Sequence, residues 1–181
     1  MQQSTMVRQT KAAQTQVISM RQYLTFVLSG ESFAIAIENI REIIEFKSIT
    51  TIPLMPEFLR GVINLRGAVV PVVDLSARFA RGVTSVGQRT CVVIVEIEGE
   101  QETQVLGIMV DAVNEVIDVD ASQVEPRPAF GAGIRTDFID SILNINQQFT
   151  VVLDVGKVLS VDEIASLMGV APEEADTVAV A

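Results

Sequence analysis

The 181-residue sequence predicts an all-β fold made of two small barrels, and three observations carry that prediction. Short runs rich in valine and isoleucine recur along the chain, bounded by glycine, serine and acidic turn residues. Helix signals are confined to two short stretches. The chain also repeats itself, and each copy holds about five short strands, too few to bury two faces of an open sheet, so closure into a barrel is the economical solution.

In chain order, "YLTFVL" (Tyr23–Leu28) and "FAIAI" (Phe33–Ile37) flank "SGES" and predict a hairpin. "IENIREIIEF" suits a helix face at Ile37, Ile40 and Ile44, but its shortness and β-branched content favour a tight turn followed by a strand. In that strand Ile40, Glu42 and Ile44 share one face, alternating with Arg41, Ile43 and Glu45. Val69–Leu75 is a strand containing Pro71, which cannot donate to the ladder and therefore marks an edge or bulge. "LSARFA" (75–80) gives one or two helical turns. Cys91–Ile97 and Val105–Val110 form a second hairpin around "EGEQE", and Thr150–Val155 is a further strand. Ser160 and Glu163 make an S-x-x-E capping box opening a C-terminal helix over "IASLM". Residues 1–21 and 171–181 read as flexible tails, and the first lacks the apolar core of a signal peptide.

Composition removes whole classes of chemistry. With no histidine and one cysteine, the chain has no imidazole acid–base pair, no Ser-His-Asp or Cys-His nucleophile, no ordinary zinc site and no internal disulfide. That cysteine usage fits a reducing cytoplasm. Net charge is −10, against electrostatic binding to nucleic acid or an anionic membrane. Mean hydropathy is high at +0.40, yet no apolar run approaches the roughly 20 residues that span a bilayer. The surplus must sit in doubly buried strands or in faces that meet partners.

The repeat has two colinear blocks. An offset of 73 lays "FAIAIENIREIIEFKSITTIP" (33–53) over "LGIMVDAVNEVIDVDASQVEP" (106–126), matching Ile35 with Ile108, Glu42 with Glu115 and Pro53 with Pro126. An offset of 80 lays "FLRGVINLRGAVVPVVDL" (58–75) over "FIDSILNINQQFTVVLDV" (138–155), matching Phe58, Asn64 and Asp74 with Phe138, Asn144 and Asp154. The difference falls in "RPAFGAGIRT" (127–136), a loop where insertion is tolerated. The pseudo-repeats therefore cover about 33–80 and 106–159.

Where the copies differ is informative. The first reads Asn64-Leu65-Arg66-Gly67 and the second Asn144-Ile145-Asn146-Gln147. A turn explains Gly67, which tolerates positive φ. It does not explain Arg66, which is costly to bury unpaired. Arg66 is thus either paired to a nearby carboxylate or solvated for structural reasons, or it is a contact residue.

These residues bear a likeness. Over roughly residues 22–170 the chain resembles the CheW family of chemotaxis coupling proteins, in "FVLSGESFAIAIENIREII", "ITTIPLMPEFLRGVINLRGAVVPVVDLSARF" and "VLGIMVDAVNEVIDV". The order I-P-x-x-P-x-F-x-x-G-V-x-N-L-R-G-x-x-x-P-V-x-D-L is the specific part. The resemblance implies two interlocked SH3-like five-stranded barrels around a shared core. It implies no enzymatic activity and no cofactor. It implies a bridge between the cytoplasmic tip of chemoreceptors and the regulatory domain of the histidine kinase CheA, with rings of such barrels linking them into membrane-associated arrays. Carried over by motif, Ile40, Glu42, Asn64, Arg66 and Gly67 match the receptor-binding side of the first barrel, and Val93 and Gly107 match second-half positions that affect coupling. For Val93 and Gly107, core packing and a tight backbone approach explain the residues equally well. A CheA segment or a CheV-type adaptor would carry a further domain, so the length fits a stand-alone coupling protein.

Two rivals stand beside this. Glu42, Glu45, Asp74 and Asp118 are carboxylates that a hydrolase could pair, but none sits in a catalytic or metal motif. A generic peptide-binding barrel is the closer rival, although one tyrosine and no tryptophan leave little for a proline-rich ligand to stack on. "GVINLRG" has the wrong spacing for a phosphate loop, and Cys91 in its strand reads as a small hydrophobe.

Overall fold

The computed structural model describes residues 19–99, 102–129 and 134–167. Alternation of apolar and polar residues builds eleven strands among them. In order these are β1 (Met20–Leu28), β2 (Glu31–Ala36), β3 (Ile40–Glu45), β4 (Leu59–Leu65), β5 (Ala68–Asp74), β6 (Cys91–Glu98), β7 (Thr103–Val110), β8 (Ala112–Asp120), β9 (Val124–Pro126), β10 (Ile139–Ile145) and β11 (Gln148–Leu153). The helices are short: α1 (Leu75–Arg78), α2 (Val155–Leu159) and α3 (Val161–Leu167). Strand β1 begins at Met20, so the expected tail loses residues 20 and 21 to the sheet. Residues 1–18 and 168–181, which hold the rest of both expected tails, lie outside the described residues.

Two sheets form, in the orders β8-β1-β2-β11-β10-β9 and β3-β6-β7-β5-β4, consistent with two SH3-like barrels. Neither barrel is made from one half of the sequence. Strand β5 pairs in parallel with β7 (Val72↔Gly107), and β11 pairs in parallel with β2 (Val152↔Ala34). The repeat offsets superimpose these two pairings. Each copy therefore lends its opening hairpin to the other copy's barrel, which corrects the expectation that each half closes on itself and gives the interlocking a physical form.

The duplication extends to irregularities that alternation alone cannot reveal. Strands β3 and β8 each carry an extra residue just after Ile40 and Val113, and β4 and β10 do so at Arg60 and Asp140. Asp74 and Asp154 both cap a helix through a backbone N–H three residues on. The bulge at Arg41 overturns the expected shared face of β3. Ile40 packs on the core between the barrels, whereas Ile44 packs on the interior of its own barrel, with Glu42 on the Ile44 side. One residue of slip reverses every later side chain.

That inter-barrel core is the largest. Twenty buried residues cluster between the barrels, against five inside each, so among the described residues the two barrels depend on each other for most of their apolar burial. Phe26, Phe33, Phe79 and Phe138 form a chain of rings through it, with centroids 6.2, 5.9 and 6.0 Å apart. Arg78 lies over the equivalent rings Phe58 and Phe138, at 4.6 and 5.2 Å, and fastens the C-terminal elements to α1. Its guanidinium donates to the Val158 carbonyl and forks onto Glu163. Glu163 is thus engaged by Arg78 and not by the expected capping box. A capping box does exist at Asp120 and Gln123, where the Ser122 backbone N–H holds the Asp120 carboxyl below its ordinary range.

Pro71 sits at the last position of β5 before parallel pairing with β7 begins, so it occupies an edge-like place in an otherwise central strand. Among the described residues no helix is long and apolar enough to cross a membrane.

Candidate partner-docking site

Strands β4 and β5 are joined by the two-residue turn Arg66-Gly67, with φ of 52° and 88°. Positive φ at both positions is the twist-matched hairpin geometry that asparagine–glycine pairs favour. Asn64 Oδ1 accepts the Gly67 N–H at 2.9 Å and fastens the turn. A β-carbon on Gly67 would meet nothing within 4 Å, so glycine is favoured there by conformation and not by crowding, and Gln147 takes the same region at φ 64° in the second copy.

The turn carries Arg66 over the rim of its barrel to β3. There the guanidinium donates to both oxygens of Glu42, at 2.7 and 3.0 Å. The Arg66 side chain is 71% exposed and that of Glu42 only 22%. An exposed pair of this kind contributes under about 1 kcal/mol to stability. Beside it runs a groove of about 600 Å³, whose apolar side chains Ile44, Phe46, Val62, Ile63 and Val92 alternate with the polar Glu45, Lys47, Ser48, Thr50 and Asn64. The arrangement can receive an amphipathic surface, with apolar contact along the groove and a forked donor at its edge.

Of the residues expected to bind, Glu42, Asn64, Arg66 and Gly67 come together here. Ile40 is half-buried against the inter-barrel core. Val93 and Gly107 lie elsewhere, inside the fold. Val93 is 1% exposed in the inter-barrel core. A β-carbon on Gly107 would come within 2.8 Å of Val92 Cγ1 and 3.2 Å of Val72 Cγ2, so any influence of these two positions on a partner runs through packing. The sequence reading calls for an apolar groove near Ile40 but does not place its walls. Its apolar wall comes from Ile44, Phe46, Val62, Ile63 and Val92, and nothing local marks them as neighbours.

The carboxylates do not assemble. Glu42 is taken by Arg66, and Asp118, in the other sheet, accepts from Gln22. Asp74 is fully buried and accepts from Arg60, from Ala77 N and from both the N–H and hydroxyl of Thr84. Among the described residues no three acidic or cysteine side chains are grouped to hold a metal ion. Cys91 is half-buried.

The site is thus an open groove on the rim of one of two hairpin-exchanged barrels. The CheW-like domain profile matches residues 22–163. The chain is 32% identical to the chemotaxis protein CheW of Klebsiella aerogenes, over 83% of this chain and 89% of that one. It is 29% identical to the chemotaxis protein CheW of Treponema pallidum, over 81% and 86%. The crystal structure of the scaffolding protein TtCheW from Thermoanaerobacter tengcongensis superimposes with a TM-score of 0.72 at 34% identity, covering 80% of this chain and 95% of that one. The chain belongs to the CheW-like family and is a scaffold of the chemotaxis type.

Proposed function

We propose that this chain couples chemoreceptors to the histidine kinase CheA without catalysing a reaction, by holding both at once. The observation that carries the reading is the Arg66–Glu42 fork at the rim of the groove. It contributes little to the fold, the second copy lacks the arginine, and it stands beside apolar surface suited to a receptor's helical tip. Exposed apolar side chains at equivalent places on the two barrels, Ile43 with Val116 and Val69 with Phe149, offer area for separate barrel-end contacts with the kinase and with other barrels of the same type. Each contact alone is modest, and simultaneous engagement supplies the strength of a cytoplasmic array assembled at the membrane. The coupling unit spans residues 22–170, and neither nucleic acid nor membrane insertion enters the mechanism.

Calorimetry with a receptor signalling-domain fragment tests the receptor half. Arg66→Glu sets two carboxylates face to face, so affinity is expected to fall at least about tenfold, the loss of one forked charged contact. The melting midpoint should stay nearly unchanged. A large loss of stability with unaltered affinity would return Arg66 to a structural role.

A further inference from the structure

Opposite in character to the apolar groove is a cleft of about 540 Å³ between the two barrels. Its wall takes carboxylates from both: Glu38, Glu96, Glu98, Asp140 and Asp154, with Arg21 as the one cation lining it among the described residues. Some of that charge is committed. Arg21 binds Glu38 at 2.6 Å, Arg41 reaches Glu96 at 3.3 Å from outside the cleft, and Asp154 caps α2. Asp140 accepts from its neighbour Ser141, and Glu98 pairs with no cation among the described residues. A second feature stands in the same wall. Tyr23 is 1% exposed, and its phenolic oxygen is the one buried side-chain polar atom with no hydrogen-bond partner among the described residues. A buried hydroxyl left unpaired is a local cost without local return, and the exposed carboxylates Asp140 and Glu98 stand on the same wall.

We propose that this cleft is a binding site for a single basic side chain, the guanidinium of arginine or the ammonium of lysine. Its head would sit between Asp140 and Glu98 and would give the Tyr23 oxygen, which accepts as well as donates, the partner it lacks. Burial pushes the phenol up, Arg21 pulls it down, and Asp140 and Glu38 push it up further, so the neighbouring carboxylates are felt at the hydroxyl. The site is independent of the receptor reading, because it uses none of the groove residues. The basic group has two sources. Arg8 and Lys11 precede β1 by nine to twelve residues, within reach of a chain extending roughly 3.3 Å per residue, and the sequence before Arg21 has no acidic residue to offset them. The other source is a partner's basic side chain.

Tyr23 is the chain's only tyrosine and there is no tryptophan, so its emission and ring resonances report on the cleft directly. The full-length protein and an Arg8→Gln, Lys11→Gln variant would each be titrated with a blocked Gly-Arg-Gly peptide, with the citrulline peptide as neutral control. A saturable Tyr23 change with the arginine peptide alone is expected. It should weaken in high salt and fall about tenfold in affinity in Asp140→Asn, whose melting midpoint should match that of the parent. A response in both proteins points to a partner as the source. A response confined to the Arg8, Lys11 variant shows the chain's own residues already seated and supports the site equally. No saturable change in either protein at millimolar peptide would overturn the proposal, as would a response indifferent to salt and to Asp140→Asn.

Discussion

Asp74 and Asp154 occupy the same place in the two copies, and their surroundings set different costs for losing them. Asp74 is buried and holds Arg60 and Thr84 as well as its cap, whereas Asp154 is partly exposed and engages only the cap. Asp74→Ala strands a partly buried guanidinium and a backbone N–H and should cost about 3 kcal/mol or more. Asp154→Ala should cost about 1 kcal/mol, the ordinary value of an N-cap. Urea unfolding of the two variants checks the contrast. Tyr23 gives a pH test. Burial raises its pKa above the unfolded value, so the stability linked to it is fully present below the unfolded value of roughly 10 and is lost as pH rises through the folded one. Tyr23→Phe should remove that alkaline loss and leave neutral stability equal or higher, since it deletes an unpaired hydroxyl; melts at neutral and alkaline pH decide. At this scale Arg66 was singled out by comparing the copies, while its partner Glu42 lies 24 positions away and the pairing depends on a closed barrel.

The exchanged hairpin governs at the level of elements. Cutting the chain between Gln88 and Arg89, in an exposed connection, separates β3, β4 and β5 from the β6–β7 hairpin that completes their barrel. Each fragment is expected to be unfolded alone, and an equimolar mixture should regain the native β spectrum by circular dichroism. Independent folding of either piece would contradict the exchange. Strands β1, β2, β3, β5, β6, β7 and β11, both hairpins and the turn of α1 were legible because they rest on local alternation and turn chemistry. The exchange was not, because a hairpin looks the same in sequence whichever barrel it joins. The bulges escaped for a related reason: Arg41 and Arg60 are extra only relative to partners far along the chain, and the slip at Arg41 placed Ile40 and Ile44 on opposite sides.

For the whole molecule, the inter-barrel core has a functional consequence. With most buried apolar residues shared between the barrels, the two are packed as one body, and on the proposed reading a receptor at one rim and a kinase at another would be held at fixed separation. The most direct test mixes the purified protein with a receptor signalling-domain fragment and CheA, and follows ternary assembly together with kinase activity. A complex holding all three, with kinase stimulation that requires every component and is lost with Arg66→Glu, is the expected result. Receptor and kinase displacing one another from the protein, or neither binding at micromolar concentration, would contradict it.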